Sequence, residues 1–222
     1  MRAVKVAIFT LVFWGAALAE AKPLTCEEIR AQLRPGDLLF MGMESKLFRE
    51  VARATLTWVA HTGLVLQDEA GGWIVYESKV PLSTRTELCG FLARAPAGMV
   101  AAGRWSGLTP SDLRVLKDEA EKRMGILYQQ HFDYDSKLQF CSKFVHDIFA
   151  QVPGAPEVGR IETFADIMSR AERELSAEEF AETKSFFESW FGGSVPAAQR
   201  TVTPGAVFED SDLQLIFDRQ DP

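Results

Sequence analysis

Two short apolar segments, residues 61–66 and 73–78, lie on either side of a polar linker that contains Gly71 and Gly72. Apolar runs of this length, separated by a glycine-containing turn, are typical of a β-hairpin. Helical patterns occur both before and after the hairpin, so strands and helices share one chain. The sequence therefore predicts an α+β fold, with a small antiparallel sheet or barrel against which helices pack.

Helices are predicted where a capping residue precedes apolar residues at helical spacing. Thr25, Ser45 and Thr109 are such residues, and Pro110 suits the first helical position. The predicted helices begin near residues 26, 45, 110, 141, 164 and 177, and the last two are acidic and amphipathic. Besides the hairpin, strands are predicted at residues 37–41, 98–104 and 213–217.

The first 21 residues resemble a secretory signal peptide. Arg2 and Lys5 precede an uncharged segment, residues 6–19, which is shorter than the roughly 18 residues of a membrane span. Small residues follow in two patterns that suit cleavage, at 17–19 and 19–21. We therefore expect a periplasmic or secreted protein without stable membrane insertion after cleavage; the alternative is an uncleaved membrane anchor.

Charge and cysteine content narrow the function further. The formal net charge is −7 and no basic stripe occurs, which argues against a nucleic-acid partner. The three cysteines, Cys26, Cys89 and Cys141, form no C-x-x-C motif. In an oxidising compartment we expect Cys26 and Cys89 to pair, which would leave Cys141 as a free thiol that calls for an explanation such as catalysis.

The hairpin brings a histidine near a glutamate. If Val65 lies opposite Trp73, then His61 lies opposite Glu77, with Cβ atoms roughly 4.5–5.5 Å apart. A carboxylate beside an imidazole fixes its tautomer and stabilises the imidazolium, as in a catalytic triad. The alternatives are a solvated salt bridge, or a register shifted by one residue, which would separate the two side chains.

Cys141 lies at the start of a predicted helix. The unpaired N–H groups and the positive dipole end of a helix lower the pKa of a thiol. Residues 141, 144, 145 and 148 share one helix face, so the sulfur should point into the protein. The alternative interpretation is a small buried apolar cysteine.

Four motifs stand in a distinctive order: RPGDLLF at 34–40, AHTGLVL at 60–66, VYES at 75–78 and QFCSKFV at 139–145. This order resembles the permuted papain-like cysteine hydrolases of the YiiX/YebB type, relatives of the NlpC cell-wall peptidases. The resemblance covers residues 34–150 and implies a circularly permuted papain-like fold. It implies Cys141 as the nucleophile, His61 as general base and acid, and Glu77 as the orienting residue.

The predicted organisation is a signal peptide over 1–21, a hydrolase domain over 22–153, and a helical C-terminal extension over 154–222 that packs on the domain or covers a cleft.

The chain departs from the family pattern at two positions. Gly125 and Tyr128 are present ahead of the nucleophile, but Gln129 replaces an aspartate and Lys143 replaces an acidic residue. Both departures concern substrate contacts rather than the three catalytic positions. Asp37 is expected to support the fold or the edge of the site.

The two remaining histidines are weaker candidates. His131 is the alternative base, and His146 lies about 140° around the helix from Cys141. Their spacing with His61 does not suit a metal site, so we expect neither metal nor cofactor.

We therefore expect an exported cysteine hydrolase that cleaves an amide bond in peptidoglycan peptides. One rival is a lipid ester or thioester hydrolase, or an acyltransferase, that uses the same triad. The other rival is a non-catalytic envelope binding module of the same fold. The sequence leaves the oligomeric state open.

Overall fold

A computed structural model describes residues 24–155 and 157–219 of the 222-residue chain. The predicted signal peptide, residues 1–21, lies outside the described residues together with its two cleavage patterns. No helix of the described part is both long and apolar enough to cross a membrane.

A six-stranded antiparallel sheet forms the centre of the fold, in the order β4-β3-β2-β1-β5-β8. It is an open sheet, because β4 and β8 form its two edges, so the predicted α+β fold is confirmed in its sheet form and not as a barrel. Its strands are β1 (Leu38–Met41), β2 (His61–Gln67), β3 (Trp73–Ser78), β4 (Ser83–Glu87), β5 (Val100–Trp105) and β8 (Leu213–Arg219). Two short strands, β6 (Ile161–Thr163) and β7 (Arg200–Val202), form a second sheet.

The turn of the β2–β3 hairpin is held by Asp68. Its carboxylate accepts the backbone N–H groups of Ala70 at 2.9 Å and Gly72 at 2.7 Å. Gly71 adopts a φ of +82°, a conformation that glycine reaches without strain. The predicted hairpin is therefore confirmed.

Thr25, Ser45 and Thr109 cap helices as predicted, and Thr163 and Ser176 do so without having been predicted. All five side chains accept a backbone N–H of the first turn, which satisfies a donor that the helix itself leaves unpaired. The α-helices are α1 (Cys26–Arg30), α2 (Lys46–Ala54), α3 (Leu88–Leu92), α4 (Pro110–Lys122), α5 (Cys141–Phe149), α6 (Phe164–Glu174), α7 (Ala177–Trp190) and α8 (Pro204–Phe208).

The two faces of the sheet bury separate apolar cores. On one face, α5 packs across β2 and β3 through Phe144, Val145 and Ile148, all fully buried. On the other face, α1 and α3 pack against β1, β2 and β3, with Phe91 at the centre. Cys26 and Cys89 form the expected disulfide, with a Cα–Cα distance of 5.4 Å, and it ties α1 to α3.

The residues predicted as a helical extension do more than pack on the domain. Helices α6 and α7 contact α2, and β7 contacts α5. The predicted late strand is present as β8, which pairs with β5 and completes the central sheet. The C-terminal segment thus shares the sheet of the preceding domain.

Candidate active site

Cys141 is the first residue of α5 and the free cysteine of the described residues. Its N-cap, Phe140, supplies no side-chain hydrogen bond, so the N–H groups of the first turn remain available near the sulfur. The side chain is buried against the sheet, as predicted, and only 2% of the residue is exposed. A thiol at this position lies in the positive field of the helix N-terminus.

His61 is the first residue of β2 and is equally buried. Its Nε2 atom lies 2.6 Å from Oε2 of Glu77, and its ring packs on Phe91 with centroids 5.8 Å apart. The imidazole and the Cys141 thiol are close enough that each shifts the pKa of the other. Because Nε2 is engaged by the carboxylate, Nδ1 is the nitrogen that remains for the sulfur.

The predicted hairpin register is wrong, although the predicted contact is present. Val65 pairs with Val75 rather than with Trp73, so Glu77 lies diagonally from His61 and not directly opposite it. The observed partner of Val65 on β3 is two residues further along the chain than the predicted one. Since side chains alternate faces with a period of two, His61 and Glu77 remain on the same face of the sheet.

Glu77 is fully buried and surrounded by donors. Arg94 Nη2 lies 2.7 Å from each carboxylate oxygen, and Thr86 donates its hydroxyl to Oε1 at 2.5 Å. Lys79 Nζ lies 3.4 Å from Oε1. The predicted alternative of a solvated salt bridge is thereby wrong for this pair, because neither Glu77 nor His61 is exposed to solvent.

The three side chains shift one another's pKa values. Burial opposes the imidazolium, but the neighbouring Cys141 thiolate and Glu77 outweigh it and raise the pKa of His61 to about 9. Burial also opposes the carboxylate, yet His61 and Arg94 lower the pKa of Glu77 to about 2. For Cys141, burial is likewise overcome by His61 and by the backbone N–H groups of Thr62 and Ser142, and the thiol pKa is lowered. The arrangement therefore favours a thiolate–imidazolium pair beside an ionised carboxylate.

Tyr128 lies next to the sulfur. Its buried hydroxyl forms no hydrogen bond within the part of the chain that the structure describes, and burial together with the Cys141 thiolate raises the pKa of Tyr128. The residue belongs to a short segment that pairs with Gln139 just ahead of α5. Its position explains why an aromatic residue ahead of the nucleophile forms part of the sequence pattern.

The other two histidines lie elsewhere. His131 is exposed and packs against Trp190 and Phe191 of the α7 end, so the alternative base is not the imidazole that shifts the pKa of Cys141. His146 is buried, and its Nδ1 lies 2.8 Å from the carbonyl oxygen of Val158. Among residues 24–155 and 157–219, no three or more His, Cys, Asp or Glu side chains are grouped to hold a metal ion.

The residues that depart from the family pattern have structural contacts. Lys143 is buried and forms an ion pair with Asp147 at 2.5 Å. Gln129 accepts the backbone N–H of Asp133 through its side chain. Asp37 accepts two bonds from Arg104 at 2.8 Å, as expected of a residue that supports the fold.

A small apolar cavity of about 30 Å³ lies beside Cys141 and Ser142. Helices α2, α6 and α7 and the segment after β7 form its walls, so the C-terminal segment encloses one side of the nucleophile. Its largest apolar lining residues are Phe48, Phe132, Phe140, Phe164, Ile167, Met168 and Phe187. No charged side chain is among the described residues that line it.

The sequence of the whole described domain matches one protein family. The model of the permuted papain-like amidase enzymes, the YaeF/YiiX or C92 family, matches residues 32–217. The chain belongs to this family. The match includes both the sheet and the C-terminal segment, so it extends well beyond residues 34–150, where the four motifs lie.

Two relatives agree with this placement among the permuted papain-like amidases. The uncharacterized protein YiiX of Escherichia coli strain K12 is 23% identical over 186 residues, which are 83% of this chain and 86% of that protein. The crystal structure of metalloprotein YiiX from Escherichia coli O157:H7 superposes with a TM-score of 0.74 at 22% identity, covering 86% of this chain and 99% of that one. The chain is therefore a cysteine hydrolase of the permuted papain-like amidase family, with the permuted papain-like fold.

Sequence reasoning missed the groups that surround Glu77. Arg94 lies just after α3, and Thr86 lies in β4. Neither of these two elements was predicted. The segment 83–87 alternates polar and small residues without an apolar run, and the five-residue helix α3 contains a glycine. One signal for Arg94 was available in the sequence: it follows Cys89 by five residues, and Cys89 was predicted to be fixed by a disulfide to Cys26.

Proposed function

We propose that this protein hydrolyses amide bonds through a Cys141–His61–Glu77 triad. The observation that supports it is the position of buried His61 between the two other groups: its Nε2 atom lies 2.6 Å from the Glu77 carboxylate, and the imidazole and the buried Cys141 thiol shift each other's pKa. A nucleophile, a base and a group that orients the base are the three parts of this mechanism. A structural cysteine would need neither an ionised partner nor a buried carboxylate.

In the proposed mechanism, the Cys141 thiolate attacks the amide carbonyl carbon. The N–H groups at the start of α5 are suited to stabilise the negative charge on the carbonyl oxygen. The His61 imidazolium donates its proton to the leaving amine as the C–N bond breaks, which leaves a thioester on Cys141. Neutral His61 then removes a proton from water; the hydroxide displaces the sulfur and releases the carboxylic acid.

For the substrate, the cavity favours an amide whose acyl part is apolar. The carbonyl carbon must approach the sulfur, and the apolar walls beside Cys141 then suit an aliphatic group attached to it. Peptidoglycan peptides, our expectation from predicted export, carry charged groups for which this lining offers no partner. A lipid ester or thioester is a second candidate, because the same three residues could attack its carbonyl carbon.

One panel of substrates separates these possibilities. N-acyl amides of increasing chain length, the corresponding esters, and purified muropeptides are incubated with the wild-type protein and with Cys141→Ser. We expect amide cleavage that is fastest for short apolar acyl groups, because the cavity beside Cys141 has a volume of about 30 Å³, and that is lost in the variant. Cleavage of muropeptides alone would support the peptidoglycan hypothesis instead. Unchanged substrate affinity in Cys141→Ala, without turnover by the wild type, would indicate a binding module.

The cavity itself is tested with a substitution in its wall. Met168→Trp narrows it, and the matched control Met43→Trp lies against the core on the opposite face of the sheet. We expect Met168→Trp to reduce cleavage of long acyl chains more than short ones, with iodoacetamide labelling of Cys141 unchanged. Equal losses for all chain lengths would argue against an acyl site here.

We also propose export to the periplasm or the medium, on the basis of the first 21 residues. Cell fractionation and the N-terminal sequence of the mature protein test this directly. A new N-terminus at residue 20 or 22 in the periplasmic fraction is expected, and an intact N-terminus in the membrane fraction would indicate an uncleaved anchor.

A further inference from the structure

Arg94 and Phe91 connect helix α3 to the catalytic pair. Phe91 belongs to α3 and packs on the His61 ring, and the Arg94 guanidinium lies 4.8 Å from the centroid of the Phe91 ring. The same guanidinium contacts both oxygens of Glu77 at 2.7 Å. One short segment of chain therefore contacts both His61 and the carboxylate that orients it.

The charges around Glu77 explain why a cation is needed there. A Cys141 thiolate, a His61 imidazolium and a Glu77 carboxylate together carry one net negative charge in a buried place. An unbalanced buried charge is costly, and protonation of one of the groups would relieve it. The charged and titratable groups that face Glu77 or His61 are Cys141 from α5, Lys79 after β3 and Arg94 after α3; Tyr128, ahead of α5, faces Cys141.

Arg94 is better placed than Lys79 to balance this charge. Its Nη2 atom lies 2.7 Å from both carboxylate oxygens, whereas Lys79 reaches only one of them, at 3.4 Å. Thr86 is neutral and contributes a hydrogen bond only. The Cys26–Cys89 disulfide further fixes the helix from which Arg94 extends.

We propose that Arg94 is the positioning residue of this site: held by the disulfide-linked helix α3, it keeps Glu77 ionised and directed at His61. This inference rests on the proposed triad. Arg94 acts through Glu77, has no part in bond making or breaking, and sets the pH range in which the thiolate–imidazolium pair exists.

The experiment measures the rate at which iodoacetamide labels Cys141 between pH 5 and 9, by intact mass of the unreduced, full-length mature protein. Arg94→Gln removes the charge, and Arg94→Lys restores it. The matched control is Arg85→Gln, which removes an arginine that pairs with Glu121 at the surface, away from His61. A fourth comparison repeats Arg94→Gln in a Glu77→Gln background, where the two amides can still hydrogen-bond and the buried charge is absent.

We expect Arg94→Gln to shift labelling to higher pH, with about tenfold slower labelling at pH 6 for each unit by which the thiol pKa rises. Arg94→Lys should recover most of this loss, Arg85→Gln should match the wild type, and Arg94→Gln should have no further effect in the Glu77→Gln background. A wild-type labelling profile in Arg94→Gln would overturn the positioning role and leave the triad intact. The same conclusion would follow if Arg94→Gln slowed labelling as much in the Glu77→Gln background as it does in the wild type, because Arg94 would then not act through Glu77. Labelling of the wild type only above about pH 8 would instead overturn the triad, and this inference with it.

Discussion

His61 and Glu77 lie diagonally across the β2–β3 hairpin, and their side chains nevertheless meet at 2.6 Å. Residue 63, which the register places opposite Glu77, is a glycine. A Cβ atom at this position would lie 2.6 Å from Cγ1 of Val75 and 3.3 Å from the Phe91 ring. The glycine therefore leaves the room in which the diagonal contact forms beside Phe91.

Replacing Glu77 with Gln should lower activity without unfolding the protein. The amide keeps the size of the side chain but loses the charge that stabilises the imidazolium, so turnover of a cleaved amide should fall about 10²- to 10⁴-fold. The loss of charge also lowers the pKa of His61. The control Glu121→Gln removes a glutamate that pairs with Arg85 outside the site and should keep wild-type activity. Full activity in Glu77→Gln would exclude its orienting role.

The pH profile of the wild-type enzyme should be displaced from that of a free cysteine. Activity requires the Cys141 thiolate together with protonated His61. Because the thiol pKa is lowered and the His61 pKa is about 9, kcat/KM should already be high below the ordinary thiol pKa and should decline as the pH rises through about 9. In Glu77→Gln the alkaline decline should move to lower pH. A wild-type profile that only begins to rise near pH 8.5 would contradict the ion pair.

Much of this site was predictable because it depends on local rules. The hairpin, the helix that begins at Cys141 and the Cys26–Cys89 pair follow from apolar runs, turn glycines and cysteine count. The register was not predictable, because the Asp68 carboxylate holds a five-residue turn between Gln67 and Trp73. The catalytic contact survived that error because a shift of two residues does not change the face of a strand.

The surroundings of the site depend on contacts that no local pattern encodes. Arg94 reaches Glu77 across 17 residues of chain, and the cavity beside Cys141 is closed by α6 and α7, which follow it in sequence. The C-terminal extension was predicted to pack on the domain or cover a cleft, but only the fold shows that Phe187 of α7 lies in the cavity wall beside Cys141. Long-range packing of this kind sets which side chains line the cavity.

Removal of the disulfide should cost both stability and reactivity. The bond joins residues 63 positions apart, and closing a loop of this length stabilises a fold by about 4 kcal/mol in the chain-entropy model. The double variant Cys26→Ser, Cys89→Ser should therefore unfold at lower urea concentration. Because α3 carries Phe91 and leads into Arg94, Cys141 labelling at pH 6 should also slow. Lower stability with unchanged labelling would show that α3 keeps its place without the bond.

Lys143 offers a test of whether its departure from the family pattern is structural. Its side chain is 9% exposed and pairs with Asp147, one helical turn further along α5. Lys143→Glu, which introduces the acidic residue usual in the family, would place two carboxylates together there. Breaking a buried ion pair costs about 3–5 kcal/mol, so urea unfolding should show a large loss of stability.

The matched control for Lys143 is Lys122→Glu, because Lys122 pairs with Glu119 from a side chain that is 67% exposed. An exposed pair of this kind contributes at most about 1 kcal/mol, so this variant should unfold close to the wild type. Lys143→Met keeps much of the side-chain volume without a second negative charge and should retain the low-pH labelling of Cys141, since the ion pair lies outside the triad. Stability gained in Lys143→Glu would mean that the position is suited to an acid, and that the lysine is kept for a contact with substrate.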